Sequence, residues 1–203
     1  MASGDIPPCF YRLSRQNAAY GMALHELVRR LPGREIGDVE VWQVHNPDTA
    51  RRFEGVCRAF ERKRSGVNAE MLFHGTTWAK AQEFAMHGFI VPAIRPERRR
   101  LAGANLYLER NPFTAMAYSV PGARLGEHAM YTLILAEVAL GNPKTHTYPP
   151  HEDVIYGRVR LRPVRIVEPY NSLLIKSETR DEVVIPNTDQ ARPLFIIRFR
   201  WVS

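Results

Sequence analysis

Apolar positions recur at helical spacing in the first half of the chain and at strand spacing in the second. From Asn17 to Leu31, the residues Tyr20, Leu24, Leu27 and Leu31 fall on one helical face and Pro32-Gly33 ends the run, which predicts an amphipathic helix. Val39, Val41 with Trp42, and Val44 alternate as in a strand. Asn46-Pro47 terminates that strand and opens a second helix as N-cap and first residue, with Ala50, Phe53, Cys57 and Phe60 as its buried stripe. The charge run Glu61-Arg-Lys-Arg64 is the solvated end of this helix. Met71-Leu-Phe73 is a short buried-strand pattern that ends in His74-Gly75, and Thr76 or Thr77 caps a helix from Trp78 towards Met86, with Gly88 as its stop.

Ile90 to Arg100 carries Pro92, Pro96 and the basic cluster Arg95, Arg98, Arg99 and Arg100, so a loop is expected there. Leu106-Tyr107-Leu108 is a short strand, and Asn111-Pro112 opens a short helix reaching Ser119, with Pro121-Gly122 beyond it. Met130 to Leu140 is the longest strand-like run. Lys144 to Arg162, rich in Pro, His and Arg, is expected to be an irregular excursion. Short strands follow at Val164 to Val167, Leu173 to Ile175, Glu182 to Ile185 and Leu194 to Trp201. With no internal repeat, helices before Ser119 and strands after it, the pattern is α+β.

Composition narrows the setting. A chain of 203 residues with 45% hydrophobic content can bury a sizeable core, and one domain is expected. Its 28 Lys and Arg against 21 Asp and Glu give a formal charge of +7, which suits a nucleic acid, an acidic protein or a phosphorylated small molecule, and equally a basic protein with no polyanion partner. Cys9 and Cys57 suggest neither a disulfide framework nor a zinc site. No apolar run approaches the roughly 18 residues of a membrane span, and Met1 to Pro8 lacks a secretory pattern. An intracellular setting, cytoplasmic or nuclear, is expected.

The candidate chemistry begins at His74-Gly75, where an imidazole at a strand end adjoins backbone that a ligand can approach closely. Three pieces then occur in order. These are Phe73-His-Gly-Thr76, Gly103-Ala-Asn-Leu-Tyr-Leu108 with Ala115-Met-Ala-Tyr-Ser119, and Asp181-Glu-Val-Val-Ile185 with Gln190. Together with the approach segment Val39 to Pro47 and the eleven-residue spacing of Tyr107 and Tyr118, they resemble the catalytic domain of the poly(ADP-ribose) polymerase-like ADP-ribosyltransferases. That is the diphtheria-toxin-like group with a His-Tyr-Glu triad. The likeness runs from about Val39 to the C-terminus, leaving about 1–38 as an N-terminal helical extension of one catalytic domain, 1–203.

The resemblance implies an ADP-ribosyltransferase fold of two facing, mostly antiparallel β-sheets with peripheral helices. It implies NAD as substrate, no metal, and His74, Tyr107 and Glu182 as the triad. Breaking the bond between ribose and nicotinamide creates an oxocarbenium-like centre, which a carboxylate at Glu182 would stabilise. Tyr118 is the expected stacking partner of the cationic pyridinium, with Tyr107 lining the opposite side of the pocket. The Gly75 backbone is expected to bind the carboxamide, which a side chain there would block, and His74 the adenine-proximal ribose. Ala115 stands where many members have a carboxamide-binding serine, and adjacent Thr114 is the candidate substitute. Arg95 is the candidate contact to the pyrophosphate.

Polymer-forming relatives usually carry an autoinhibitory helical domain, and the short stretch before His74 leaves room for a helix or two, so transfer of single units is expected. The acceptor, protein or nucleic acid, stays open. The alternatives are an NAD glycohydrolase, with water as acceptor, and a catalytically silent module binding NAD, ADP-ribose or nucleic acid.

Overall fold

The computed structural model describes residues 9–31, 33, 35–91, 102–119, 129–147, 164–176 and 181–202. Among these residues nine strands form one ladder: β1 (Phe10–Arg12), β2 (Ile36–Val44), β3 (Ala69–Gly75), β4 (Leu106–Glu109), β5 (Tyr131–Ala139), β6 (Pro143–Thr147), β7 (Ser172–Lys176), β8 (Asp181–Ile185) and β9 (Ala191–Trp201). Their order is β1-β2-β9-β5-β3-β4-β8-β7-β6, antiparallel throughout except for β6 beside β7. The helices among the described residues are α1 (Ala18–Val28), α2 (Pro47–Arg62), α3 (Trp78–His87) and the five-residue α4 (Pro112–Met116).

The helix starts follow the expected cap chemistry. Asn17, Asn46, Thr77 and Asn111 each turn a side-chain oxygen onto an orphan amide of the first turn, and Pro47 and Pro112 take positions where a missing N–H costs nothing. Gly88 ends α3 at a φ of +84°, a conformation open to glycine. On one face of the sheet, Phe84 of α3 and Phe89 pack over Leu72, Ile134 and Ile196. On the other, Leu27 of α1 and Ala115 and Met116 of α4 pack over Phe73, Leu133 and Ile197. The stripe of α2 sets Phe53 and Phe60 against Ala139, and Cys57 is only partly buried.

Two expectations change. Lys144–Thr147 lies not in an irregular excursion but in β6, aligned with β7, while 148–163 lies outside the described residues. Val164 to Val167 is not a strand, although Val164 and Ile166 still pack against Leu173, Ile175 and Val184. Apolar burial alone, without a partner strand, produced that strand-like pattern.

The antiparallel sheet and peripheral helices match the expected fold, with a link that the sequence does not show. The five strands β1-β2-β9-β5-β3 and the four strands β4-β8-β7-β6 meet at β3 and β4, which share one backbone pair, Phe73 with Glu109. By contrast β3 pairs with β5 at seven positions and β4 with β8 at four. Two half-sheets are therefore joined at one point, and the seam between them organises the candidate site.

Candidate active site

Past Phe73, β3 runs on to His74 and Gly75 without further backbone pairing to β4. In an antiparallel ladder, successive residues turn their N–H and C=O alternately to the two sides. Thr76 donates its N–H to Thr132 on the β5 side, and Met71 turns its carbonyl the other way, to the Arg30 guanidinium. By the same parity Gly75 directs both backbone groups away from β5 and into the gap where β4 has diverged.

Gly75 has a second constraint. A Cβ built there would lie 1.6 Å from the carbonyl oxygen of Ala115, so α4 is seated directly against the glycine backbone. The sequence argument for a glycine was close approach of a ligand. The nearer obstacle is α4, which carries Thr114 and leads into Tyr118.

His74 projects to the opposite sheet face from Phe73, edge-on to Phe84 and Phe89 at ring distances of 5.8 and 5.6 Å. Its Nδ1 lies 2.9 Å from the Tyr107 carbonyl oxygen. A carbonyl only accepts, so Nδ1 carries the proton, and this side-chain bond spans the seam where backbone pairing has stopped. Tyr107 and Glu182 lie on the Phe73 face, on adjacent strands β4 and β8. The Tyr107 hydroxyl accepts from the Ala102 N–H at 2.9 Å and is 3.4 Å from the Gly103 carbonyl, which ties the approach turn to the ring. Asn105 also donates to the Ala102 carbonyl within that turn. Glu182 is 6% exposed despite its charge.

Beyond α4, Tyr118 is 53% exposed, so its ring is a surface feature and not core. Thr114 is half-buried and Ala115 fully buried in the core over Phe73. Of the expected site residues, Gly75, Tyr107 and Glu182 thus share a face with α4, while His74 reaches the seam from the other face. Arg95, with Arg98, Arg99 and Arg100, lies outside the described residues. Gln190 serves the fold, donating to the carbonyls of Ala139 and Asn171 from a capping box with Asn187.

Sequence reasoning missed the other end of the seam. Arg30 donates to the carbonyls of Met71 and Arg110 at 2.9 and 3.2 Å, and its guanidinium lies 5.4 Å from the Phe73 ring centroid. Arg110 grips both oxygens of Glu70 on β3 at 2.9 and 2.8 Å and Asp181 on β8 at 2.8 Å. The hydrogen bonds that Arg110 donates to Glu70 push its pKa up, whereas burial pulls that of Arg30 down. A depression of about 390 Å³ lined by Glu26, Arg29, Arg30, Glu70, Met71 and Arg110 lies at this end. Its walls are lined by ion-paired side chains. Also missed was Glu109, 3% exposed and directly opposite Glu182; its signal was strand alternation from Tyr107.

Among the described residues no group of three or more His, Cys, Asp or Glu is placed to hold a metal ion, and no helix is long and apolar enough to cross a membrane. No curated protein matches the chain. The family model of the poly(ADP-ribose) polymerase catalytic domain matches residues 39–200, well over half of the sequence. With that match laid over the mostly antiparallel sheet and its opened seam, the chain belongs to the poly(ADP-ribose) polymerase catalytic-domain family, whose members are NAD-dependent ADP-ribosyltransferases.

Proposed function

We propose that this chain, as one catalytic domain, transfers single ADP-ribose units from NAD to a macromolecular acceptor and releases nicotinamide. The observation that carries the reading is the opened β3–β4 seam, where Gly75 turns an N–H and a C=O into the gap beside Tyr107, Glu182 and the end of α4. A carboxamide offers one donor and one acceptor, and the two backbone groups of Gly75 complement both. Exposed Tyr118 offers a ring face for the cationic pyridinium, and Tyr107 lines the pocket from β4. Half-buried Thr114 supplies a hydroxyl where Ala115 lacks one. The His74 ring, with Nδ1 on the Tyr107 carbonyl, stands at the seam and binds the adenine-proximal ribose. Arg95, on sequence grounds alone, contacts the pyrophosphate.

In the reaction the bond from the ribose anomeric carbon to the pyridinium nitrogen breaks and its electron pair leaves with neutral nicotinamide. The anomeric carbon becomes oxocarbenium-like and is captured by the acceptor's nucleophile. A buried carboxylate at Glu182, in an environment that screens charge less than water, stabilises that centre and hydrogen-bonds the neighbouring 2′-hydroxyl. No step requires a covalent intermediate on the protein.

The test pairs turnover with affinity. Glu182→Gln should lower nicotinamide release by about two powers of ten or more, since losing one transition-state stabiliser costs roughly 3–4 kcal/mol, while affinity for a non-hydrolysable NAD analogue changes far less. Wild-type turnover in the variant removes Glu182 from the mechanism. With labelled NAD, single units of label on a macromolecule support the reading. Free ADP-ribose as sole product instead makes the chain a glycohydrolase, and binding without nicotinamide release makes it a silent module.

A further inference from the structure

The two halves of the proposed site stand on different half-sheets. Gly75, whose backbone would take the carboxamide, is on β3, and Glu182, whose carboxylate would face the oxocarbenium-like centre, is two strands away on β8. Among the described residues the backbone joins β3 to β4 at one pair, Phe73 with Glu109, and β4 then carries β8 through four paired positions. One pair fixes a separation but leaves the angle between the half-sheets to other bonds.

Arg110 is placed to set that angle. It directly follows Glu109, and its half-buried guanidinium spans the seam in both directions. Nε and Nη2 donate to the two oxygens of Glu70 on β3 at 2.9 and 2.8 Å, while Nη1 donates to the Asp181 carboxylate on β8 at 2.8 Å. The Arg110 backbone N–H donates to the Asp181 carbonyl at 3.2 Å, and its own carbonyl accepts from Arg30 at 3.2 Å. A planar guanidinium gripped on two sides fixes the orientation of its partners as well as their distance, which a point-like ammonium does not. Asp181 opens β8 and is one peptide bond from Glu182, so a bond that holds Asp181 also holds the backbone beneath the Glu182 carboxylate.

We infer that Arg110 is a positioning residue for Glu182. By tying Glu70 of β3 to Asp181 of β8, it sets the reach from the Gly75 backbone to the Glu182 carboxylate. Ground-state NAD meets Gly75 and the exposed Tyr118 ring, which the clamp does not touch. Only the transition state needs the carboxylate at a fixed distance, so the clamp is expressed in kcat and not in KM. This deepens the proposed function and rests on Glu182 being its catalytic carboxylate.

The experiment measures nicotinamide release by Arg110→Met and Arg110→Lys, alone and in the Glu182→Gln background, beside NMR amide exchange at Phe73, whose N–H faces β4 because that of Thr76 faces β5. Arg110→Met should lower kcat by about ten- to a hundredfold with KM within about twofold, as expected for a stabiliser displaced by about 1 Å. Arg110→Lys keeps the charge but not the fork and should recover little of that loss. In the Glu182→Gln background Arg110→Met should cost almost nothing further, because it acts through a carboxylate already removed. The Phe73 amide should exchange faster in Arg110→Met, with the amides of β5 paired to β3 unchanged. If Arg110→Met does not fold, Asp181→Asn, which weakens the β8 link alone, should show the same loss in kcat at smaller size. An equal loss in both backgrounds marks a general weakening of the fold and overturns the inference. A raised KM with unchanged kcat overturns it as well, and so does full rescue by lysine. Faster exchange at Phe73 in a protein that releases no nicotinamide leaves the clamp standing and sinks the transferase reading instead.

Discussion

The two ends of the β3–β4 seam solve the same problem in opposite ways. Each has strand backbone that has lost its neighbour beyond the single Phe73–Glu109 pair. At the Met71 end, the orphaned carbonyls are taken up by Arg30, and Arg110 bolts Glu70 to Asp181 across the gap. At the Gly75 end, one imidazole reaches across to the Tyr107 carbonyl and the glycine backbone faces the gap. Backbone polar groups need partners, and a carboxamide would complement the two that Gly75 turns towards the gap. One end holds the half-sheets together, and the other is where we propose that substrate is read.

Substitutions sharpen this contrast. The largest effect is expected at Gly75→Ala, because a Cβ 1.6 Å from the Ala115 carbonyl oxygen forces α4 off the strand. Overpacking of that kind costs about 3 kcal/mol of stability. Because α4 carries Thr114 and leads into Tyr118, NAD affinity should fall with it; denaturant unfolding and calorimetry together read both losses. An unchanged variant would mean that α4 is not seated on Gly75.

Arg30→Met keeps the apolar stem and removes the guanidinium, stranding the carbonyls of Met71 and Arg110. Stability should drop by about 1–3 kcal/mol, with NAD affinity nearly intact. A variant that loses affinity but not stability would erase the distinction between the ends. Tyr118→Ala should show the reverse pattern, weaker NAD binding by about 1–2 kcal/mol and a nearly unchanged unfolding midpoint, since the ring is exposed.

The smallest effect is a pH dependence at the stapled end. The hydrogen bond from Arg29 is the main cause that holds the Glu26 carboxyl below its ordinary value of 4.5, aided by the charges of Arg29, Arg30 and His25 and opposed by burial. A carboxylate depressed in the folded state contributes its full stability above the ordinary pKa and loses it as pH falls through the lower folded value. Because the site is mostly solvated, the contribution is small. Melting from pH 6 down to pH 3 should show a slightly shallower acid loss in Glu26→Gln than in the wild-type protein, and an identical slope would remove Glu26 from the acid limb.

Local pattern made much of this legible. Asn46-Pro47, Thr77 with Gly88, and Asn111-Pro112 mark helix ends through chemistry contained within a few residues, and all recur as caps in the structure. The order of His74, Tyr107, Tyr118 and Glu182 carried the family assignment because their spacing is a property of the chain alone. Pairing between distant segments was not legible. Nothing local announces that β3 and β4 meet at one residue, that Lys144–Thr147 aligns with β7, or that Arg30 spans forty-one residues to reach the Met71 carbonyl. Glu109 hid for the same reason, since its meaning comes from the register that sets it opposite Glu182.

The central claim is that the Gly75 end of the seam reads NAD. Amide hydrogen exchange followed by NMR, with and without a non-hydrolysable NAD analogue, tests it at single-residue level. The Gly75 amide, turned away from β5, should exchange readily in the free protein and become strongly protected on binding. Amides of β5 paired to β3 should change little. Protection that appears around Arg30 and Arg110, with Gly75 unaffected, would contradict the account.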